Sequence, residues 1–186
     1  MPWTNTPTHF GRAAQLFHWL TVMAVGVAWL IGQLRDEFPK GLARQEAGFI
    51  HTYAGELIAT LLIVRLLWRM FDASPTAGSE TKSKWAHYAV LSAHFFLYTL
   101  LAGAVVAGVA TQFAKGNPIS VFGLYEIASP WPKDKFFAHS LRELHEFIAN
   151  CLIILAILHA SAALIHHYIL KDNTFDLPLS NSTRKY

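Results

Sequence analysis

The sequence contains a single cysteine, Cys151, among its 186 residues. One cysteine cannot form a disulfide within the chain, and it cannot supply the four thiolates of a cysteine-ligated iron–sulfur cluster. We therefore expect Cys151 to act as a small apolar residue in the interior. Any redox chemistry in this chain has to come from other side chains.

Charged residues are also scarce, at 15% of the chain against 53% hydrophobic residues. The net charge of +3 is spread over short connections, which gives no support to nucleic-acid binding, and no internal repeat is evident. Three stretches, 13–34, 85–114 and 147–170, carry no Asp, Glu, Lys or Arg at all. Each is long enough to cross a hydrocarbon core of about 30 Å as a helix.

A fourth apolar stretch, 47–71, is interrupted by Glu56, Arg65 and Arg69, of which the two arginines lie near its end and can reach the interface. The sequence thus predicts an all-α membrane protein, a four-transmembrane-helix bundle. We expect one domain over residues 1–186, without a cleaved signal peptide, and helices near 13–34, 47–71, 85–113 and 145–170.

Two histidines, His145 and His159, lie fourteen residues apart within the last apolar stretch. At 1.5 Å per residue and 3.6 residues per turn, they stand about 21 Å apart on nearly the same face of a helix. Polar side chains at membrane depth are costly and tend to be functional. Two imidazoles near opposite sides of a membrane suit two haems stacked across it.

Helix direction determines which histidines share a depth. His18 begins the first helix on the side of the termini, whereas His51 begins the second on the far side. Among the four histidines named so far, the pairs that share a depth in the membrane are therefore His18 with His159 and His51 with His145. The third helix adds two rivals on the terminal side, His87 and His94, which this geometry leaves open. Small residues one turn after His51, His145 and His159 (Gly55, Ala149 and Ala163) leave room beside each ring.

Basic residues indicate the orientation. Arg65, Arg69, Lys82 and Lys84 flank one short connection, while the connections on the opposite side mix acidic and basic residues. The positive-inside rule then places this connection and both termini in the cytoplasm.

Several short motifs, in this order, resemble the bacterial cytochrome b561 family over nearly the whole chain. They are Phe17-His18-Trp19-Leu20, His51 with Gly55 and Arg65, Gly116-Asn117-Pro118-Ile119, Phe122-Gly123-Leu124, Leu144-His145-Glu146, His159, His166-His167-Tyr168 and Lys171-Asp172-Asn173-Thr174. Glu56 departs from the pattern, since we expect an apolar residue there in several relatives.

The resemblance implies a multi-pass protein of the bacterial inner membrane that holds two haems b. It implies His18, His51, His145 and His159 as axial iron ligands, which favours the geometric pairs over the rivals on the third helix. It also implies electron exchange with ubiquinone and, in some members, oxidation of superoxide at the periplasmic face. Further contacts to the haems are expected from Arg12, Gly55, Arg65, His94 and His166, with Arg69 at the inner haem and Arg142 at the outer one.

The long far-side connection, 113–144, is the expected substrate surface. Its apolar residues suit the membrane interface, and its basic residues Lys115, Lys133, Lys135 and Arg142 can attract an anion such as superoxide. For quinone, candidates near the inner haem are His94, His166 and Tyr168.

Three functions follow as hypotheses. The first is electron transfer from superoxide to ubiquinone, and the second is a quinol-dependent electron donor to a separate periplasmic redox protein. The third is a haem-free transporter or metal-binding membrane protein, which would need its histidines to converge at one depth. Membrane lipid is a partner in each, and a homodimer through a lipid-facing helix stays open.

Overall fold

The fold is a bundle of four long helices, here in a computed structural model that describes residues 2–6, 9–72 and 84–168. The elements follow one another as α1 Arg12–Leu34, α2 Leu42–Phe71, α3 Lys84–Ala114, β1 Ile119–Val121, β2 Tyr125–Ile127 and α4 Lys135–Tyr168. A short 3-10 turn, Arg35–Glu37, extends α1. All four helices are long and apolar enough to cross a membrane, which confirms the predicted fold class.

The helices pack as two antiparallel hairpins. Helix α1 lies along α2 and α3 lies along α4, whereas contacts between the hairpins are fewer and are concentrated between α2 and α3. A small apolar core joins the two hairpins through Ala24, Ala28, Ile58, Leu62, Leu101 and Leu152. Most other large apolar side chains face outwards, as on α4, where Ile154 and Leu158 are exposed one turn apart. This distribution is that of a bundle whose outer surface meets lipid.

Two helices begin earlier than the apolar stretches predict. Helix α2 begins at Leu42, nine residues before His51. Helix α4 begins at Lys135, ten residues before His145, because Asp134 accepts a hydrogen bond from the Phe137 amide (3.0 Å) and so satisfies a free donor of the first turn. The expectation that these histidines begin their helices was therefore wrong. Each lies two to three turns inside its helix.

The far-side connection contains a β-hairpin that the sequence analysis did not predict. Strands β1 and β2 pair antiparallel, with Val121 opposite Tyr125. The turn places Phe122 and Gly123 at positive φ, 49° and 72°, and the Leu124 amide closes it on the Val121 carbonyl. Glycine is favoured at such a position because a side chain there is strained.

Candidate functional site

The far side of the bundle brings His51 of α2 and His145 of α4 together. The Nδ1 atom of His51 lies 2.8 Å from the Ala28 carbonyl oxygen, and that of His145 lies 2.8 Å from the Ala104 carbonyl oxygen. A carbonyl only accepts, so each Nδ1 carries the hydrogen and each Nε2 keeps a free lone pair. Metal-ligating histidines have this arrangement, in which the second nitrogen fixes the tautomer and the orientation of the ring.

The separation of the two rings also fits a shared metal. Their centroids are 5.9 Å apart, and their planes are inclined by 83°. When two imidazole nitrogens lie in line with one metal at about 2.0–2.1 Å each, the ring centroids are roughly 6 Å apart, because each ring centre lies about 1.1 Å beyond its nitrogen. The residues present therefore suit a b-type haem iron with two histidine ligands.

Glycines on the neighbouring helices allow this approach. A Cβ atom at Gly32 of α1 would lie 3.2 Å from Cε1 of His51, and one at Gly108 of α3 would lie 3.2 Å from Cε1 of His145. Each ring thus packs directly on a glycine backbone. A Cβ at Gly55 would meet nothing within 4 Å, so the space predicted one turn after His51 is open.

These contacts repeat in the two hairpins. In α1 the carbonyl of Ala28 precedes Gly32 by four residues, and in α3 that of Ala104 precedes Gly108 by four. The histidine of the second helix of each hairpin uses both residues, one for its hydrogen bond and one for its close approach. This correspondence was not predicted from the sequence, although the two Ala-x-x-x-Gly segments could have indicated it.

The terminal side of the bundle brings three histidines together. The rings of His94 and His159 are 5.2 Å apart between centroids, and His18 is within electrostatic range of both. Arg65 is also within range of His18, and its guanidinium lies over the ring of Tyr98 at 5.4 Å. The rival ligand His94 thus lies in the same cluster as the predicted pair, His18 and His159.

The structure gives less direct evidence for the other predicted haem contacts. Arg12 is exposed in the first turn of α1, and Arg69 is exposed in the last turn of α2. Arg142 pairs with Glu146 at 2.6 Å and with Asp36 at 3.1 Å, so its charge is already shared with two carboxylates. The side chains of His87 and His166, like residues 169–186, lie outside the described part of the chain.

The basic residues of the far-side connection gather around one cavity. It has a volume of about 260 Å³ and is lined by Lys115, Lys133, Lys135, Ala138, His139 and Arg142. Burial, followed by the nearby charges of Arg35 and Arg142, lowers the pKa of the Lys115 ammonium below its ordinary value. Lys115 is also within electrostatic range of His51. The cavity is therefore a cationic pocket on the same side of the bundle as the His51 and His145 pair.

Glu56 of α2 holds the β-hairpin against the bundle. Its Oε2 atom accepts a hydrogen bond from the Phe122 amide at 2.8 Å. Its Oε1 atom is buried, and within the described ranges it has no hydrogen-bond partner. Glu56 thus has a structural contact, one that fixes the hairpin turn.

Comparison with known proteins gives a consistent result. Residues 9–176 match the family model described as Prokaryotic cytochrome b561. Cytochrome b561 homolog 2 of Escherichia coli (strain K12) is 30% identical over 188 residues, which cover 100% of this chain and 99% of that protein. The Probable superoxide oxidase CybB of Yersinia pestis is 30% identical over 159 residues, covering 84% of this chain and 88% of that protein.

A second protein of Escherichia coli (strain K12), Cytochrome b561 homolog 1, is 30% identical over 169 residues and covers 89% of this chain. The family match spans all four helices and both histidine clusters described above. The chain therefore belongs to the prokaryotic cytochrome b561 family, membrane proteins that bind b-type haem and transfer electrons.

Proposed function

We propose that this protein is a dihaem superoxide:ubiquinone oxidoreductase of the inner membrane, with both termini in the cytoplasm. The observation that carries the proposal is the cationic pocket on the side of His51 and His145, where Lys115, Lys133 and Lys135 lie around the cavity with the ion-paired Arg142. An anionic substrate is attracted to such a pocket, and low-dielectric walls strengthen the attraction. The Yersinia pestis relative, named as a probable superoxide oxidase, supports the same substrate.

The ligand sets are His51 with His145 for an outer haem and His18 with His159 for an inner haem. Each pair takes one residue from each hairpin, and the sparse packing between the hairpins leaves space there for a macrocycle. A pair such as His94 and His159 comes from α3 and α4, which pack along each other. Bis-histidine b haems supply one-electron transfer without an open iron position for direct ligand binding.

Side chains and main-chain carbonyls have separate roles in this reaction. Lys115, Lys133 and Lys135 attract superoxide to the periplasmic end of the bundle, while the Ala28 and Ala104 carbonyls orient the outer ligands. Two superoxide anions lose one electron each and leave as two molecules of oxygen. The two electrons cross the membrane and, with two protons, reduce one ubiquinone to ubiquinol.

A second function is favoured by a specific surface. The β-hairpin presents Leu124 and Tyr125 to the outside, exposed by 90% and 69%, in the same far-side connection that supplies the lysines of the cationic pocket. An apolar tip on the same side of the bundle as this positive charge also suits the docking of an acidic redox protein. In that case ubiquinol would be the electron donor and the partner would be the acceptor.

Haem reduction by superoxide distinguishes these functions. The purified protein is mixed with an enzymatic superoxide source, and the reduction of its haem is followed in the visible spectrum. We expect rapid reduction in the native protein and a rate at least about tenfold lower in Lys133→Glu/Lys135→Glu at low ionic strength, because electrostatic steering contributes about 10–10³-fold.

The matched control is Lys40→Glu, which changes an exposed lysine on the same side but outside the pocket. It should keep the native rate. If ubiquinol reduces the haem and superoxide does not, the first function is refuted in favour of the second. Equal rates in the double variant and in Lys40→Glu would refute the role of the pocket.

A further inference from the structure

The cluster on the terminal side contains a histidine that neither ligand pair uses, His94 of α3. Its Nδ1 atom lies 2.8 Å from the Val90 carbonyl oxygen, one turn earlier in the same helix. Because the carbonyl accepts, Nδ1 carries the hydrogen, and Nε2 of the neutral ring is a hydrogen-bond acceptor. His94 therefore offers a lone pair to a neighbouring donor.

The neighbour is His159, whose ring centroid lies 5.2 Å from that of His94. Two imidazoles joined by an N–H···N hydrogen bond of about 2.9 Å have centroids about 5 Å apart. Among the described residues, His159 has no main-chain carbonyl partner of the kind that His51 and His145 have. A histidine that binds metal through Nε2 nearly always donates its Nδ1 hydrogen to some acceptor.

The register of the hairpin explains why the acceptor differs. Helices α3 and α4 are antiparallel, and fourteen residues are close to four full turns. Moving fourteen residues from His145 to His159 along α4 corresponds to moving from Ala104 to Val90 along α3. The same step of fourteen residues along α3 leads from Gly108 to His94. A histidine thus occupies the position where glycine, at the outer site, lets the ligand reach the carbonyl directly.

We propose that His94 is a positioning residue for the inner haem, relaying a hydrogen bond from His159 to the Val90 carbonyl. The Nδ1 hydrogen of His159 is donated to Nε2 of His94, and the Nδ1 hydrogen of His94 is donated to Val90. The inner ligand is therefore oriented by an imidazole, whereas the outer ligands are oriented by carbonyls. The inference rests on the proposed pairing of His18 with His159.

The consequence is a specific change in redox potential. Donation of a hydrogen bond makes a ligating imidazole more basic, which favours the oxidised iron and lowers the midpoint potential. Loss of the acceptor in His94→Phe should raise the potential of one haem and leave the other unchanged. In His94→Gln the amide oxygen can accept, so the potential should stay close to that of the native protein.

The experiment is a potentiometric titration of the purified full-length variants, with the haem content measured in parallel. Thr99→Val is the matched control, since Thr99 is an exposed residue of α3 whose hydroxyl donates to the Phe95 carbonyl of its own helix. His94→Ala repeats the test with a smaller side chain, should the phenylalanine disturb folding.

Two haems with one potential raised in His94→Phe and restored in His94→Gln would support the relay. Two haems with unchanged potentials in both His94→Phe and His94→Ala would overturn it and leave the ligand pairs intact. Loss of one haem in His94→Phe, His94→Ala and His94→Gln alike, with native content in Thr99→Val, would make His94 an axial ligand, because glutamine keeps the acceptor but not the ligating imidazole. That result would overturn both the relay and the proposed pairing.

Discussion

Gly108→Ala is the substitution that tests the contacts of the outer site most directly. The added methyl group would lie 3.2 Å from Cε1 and 3.4 Å from Nδ1 of His145. The ring cannot move away freely, because Nδ1 is held by the Ala104 carbonyl at 2.8 Å. Overpacking of this kind costs about 1–3 kcal/mol, and a strained or broken hydrogen bond adds about 1 kcal/mol.

Most of this penalty should appear in haem binding, since the displaced ring is the proposed ligand. Damage to the orienting contacts of a metal ligand typically lowers affinity by about 10–100-fold. We therefore expect Gly108→Ala to release one of two haems at least about tenfold faster to an excess of a haem-binding acceptor protein. The transfer is followed by the Soret absorbance, and Gly32→Ala should behave in the same way at His51.

Gly26→Ala supplies the control for this experiment. A Cβ at Gly26 of α1 would meet nothing within 4 Å, so the substitution introduces the same methyl group without a contact. It should leave haem release unchanged, and α1 should be stabilised because alanine has a higher helix propensity than glycine. Equal release from Gly108→Ala and Gly26→Ala would refute the assignment of His145 as a ligand held between Gly108 and Ala104.

Two further predictions concern the far side. In Glu56→Ala the Phe122 amide loses its acceptor, so we expect faster hydrogen–deuterium exchange at the hairpin turn, while Glu56→Gln keeps an acceptor and should retain protection. The depressed pKa of Lys115 means that the pocket loses positive charge at a lower pH than a solvated lysine would allow. The rate of superoxide-dependent haem reduction should therefore fall as the pH rises towards the ordinary pKa of lysine, and Lys115→Arg should move this fall to higher pH. Identical pH profiles would contradict the role of Lys115.

The sequence was sufficient for the four membrane spans because long apolar runs with few or no charges are typical of helices that cross a bilayer. The prediction was wrong at the start of α4, because its first twelve residues include Lys135, Arg142, Glu143 and Glu146 and precede the apolar stretch. Such charged turns give no hydropathy signal. The Asp134 cap marks the true start instead.

The candidate site was predictable to the level of residue type and depth. Helix direction predicted His51 and His145 at one depth, and the structure places their rings 5.9 Å apart. The glycines that contact these rings, Gly32 and Gly108, lie on other helices, so their role depends on which helices are neighbours. Spacing within one helix, which singled out Gly55, carries no information of that kind.

The inner site was the least predictable part. His18, His94 and His159 all lie at the terminal side, and helix direction alone does not rank them. The structure adds that His94 bonds to Val90 within its own helix and contacts His159. It also shows that the hairpin partners α3 and α4 pack along each other, which favours a ligand pair drawn from both hairpins.

The central claim is that two b haems are held by His18 with His159 and His51 with His145. Its most direct test is the haem content of the purified protein, measured as the pyridine haemochrome, for the native chain and for the alanine variant of each histidine. The proposed pairing predicts two haems per native chain and the loss of one low-spin haem in each variant. A single haem in the native chain, or two retained in any of these variants, would contradict it.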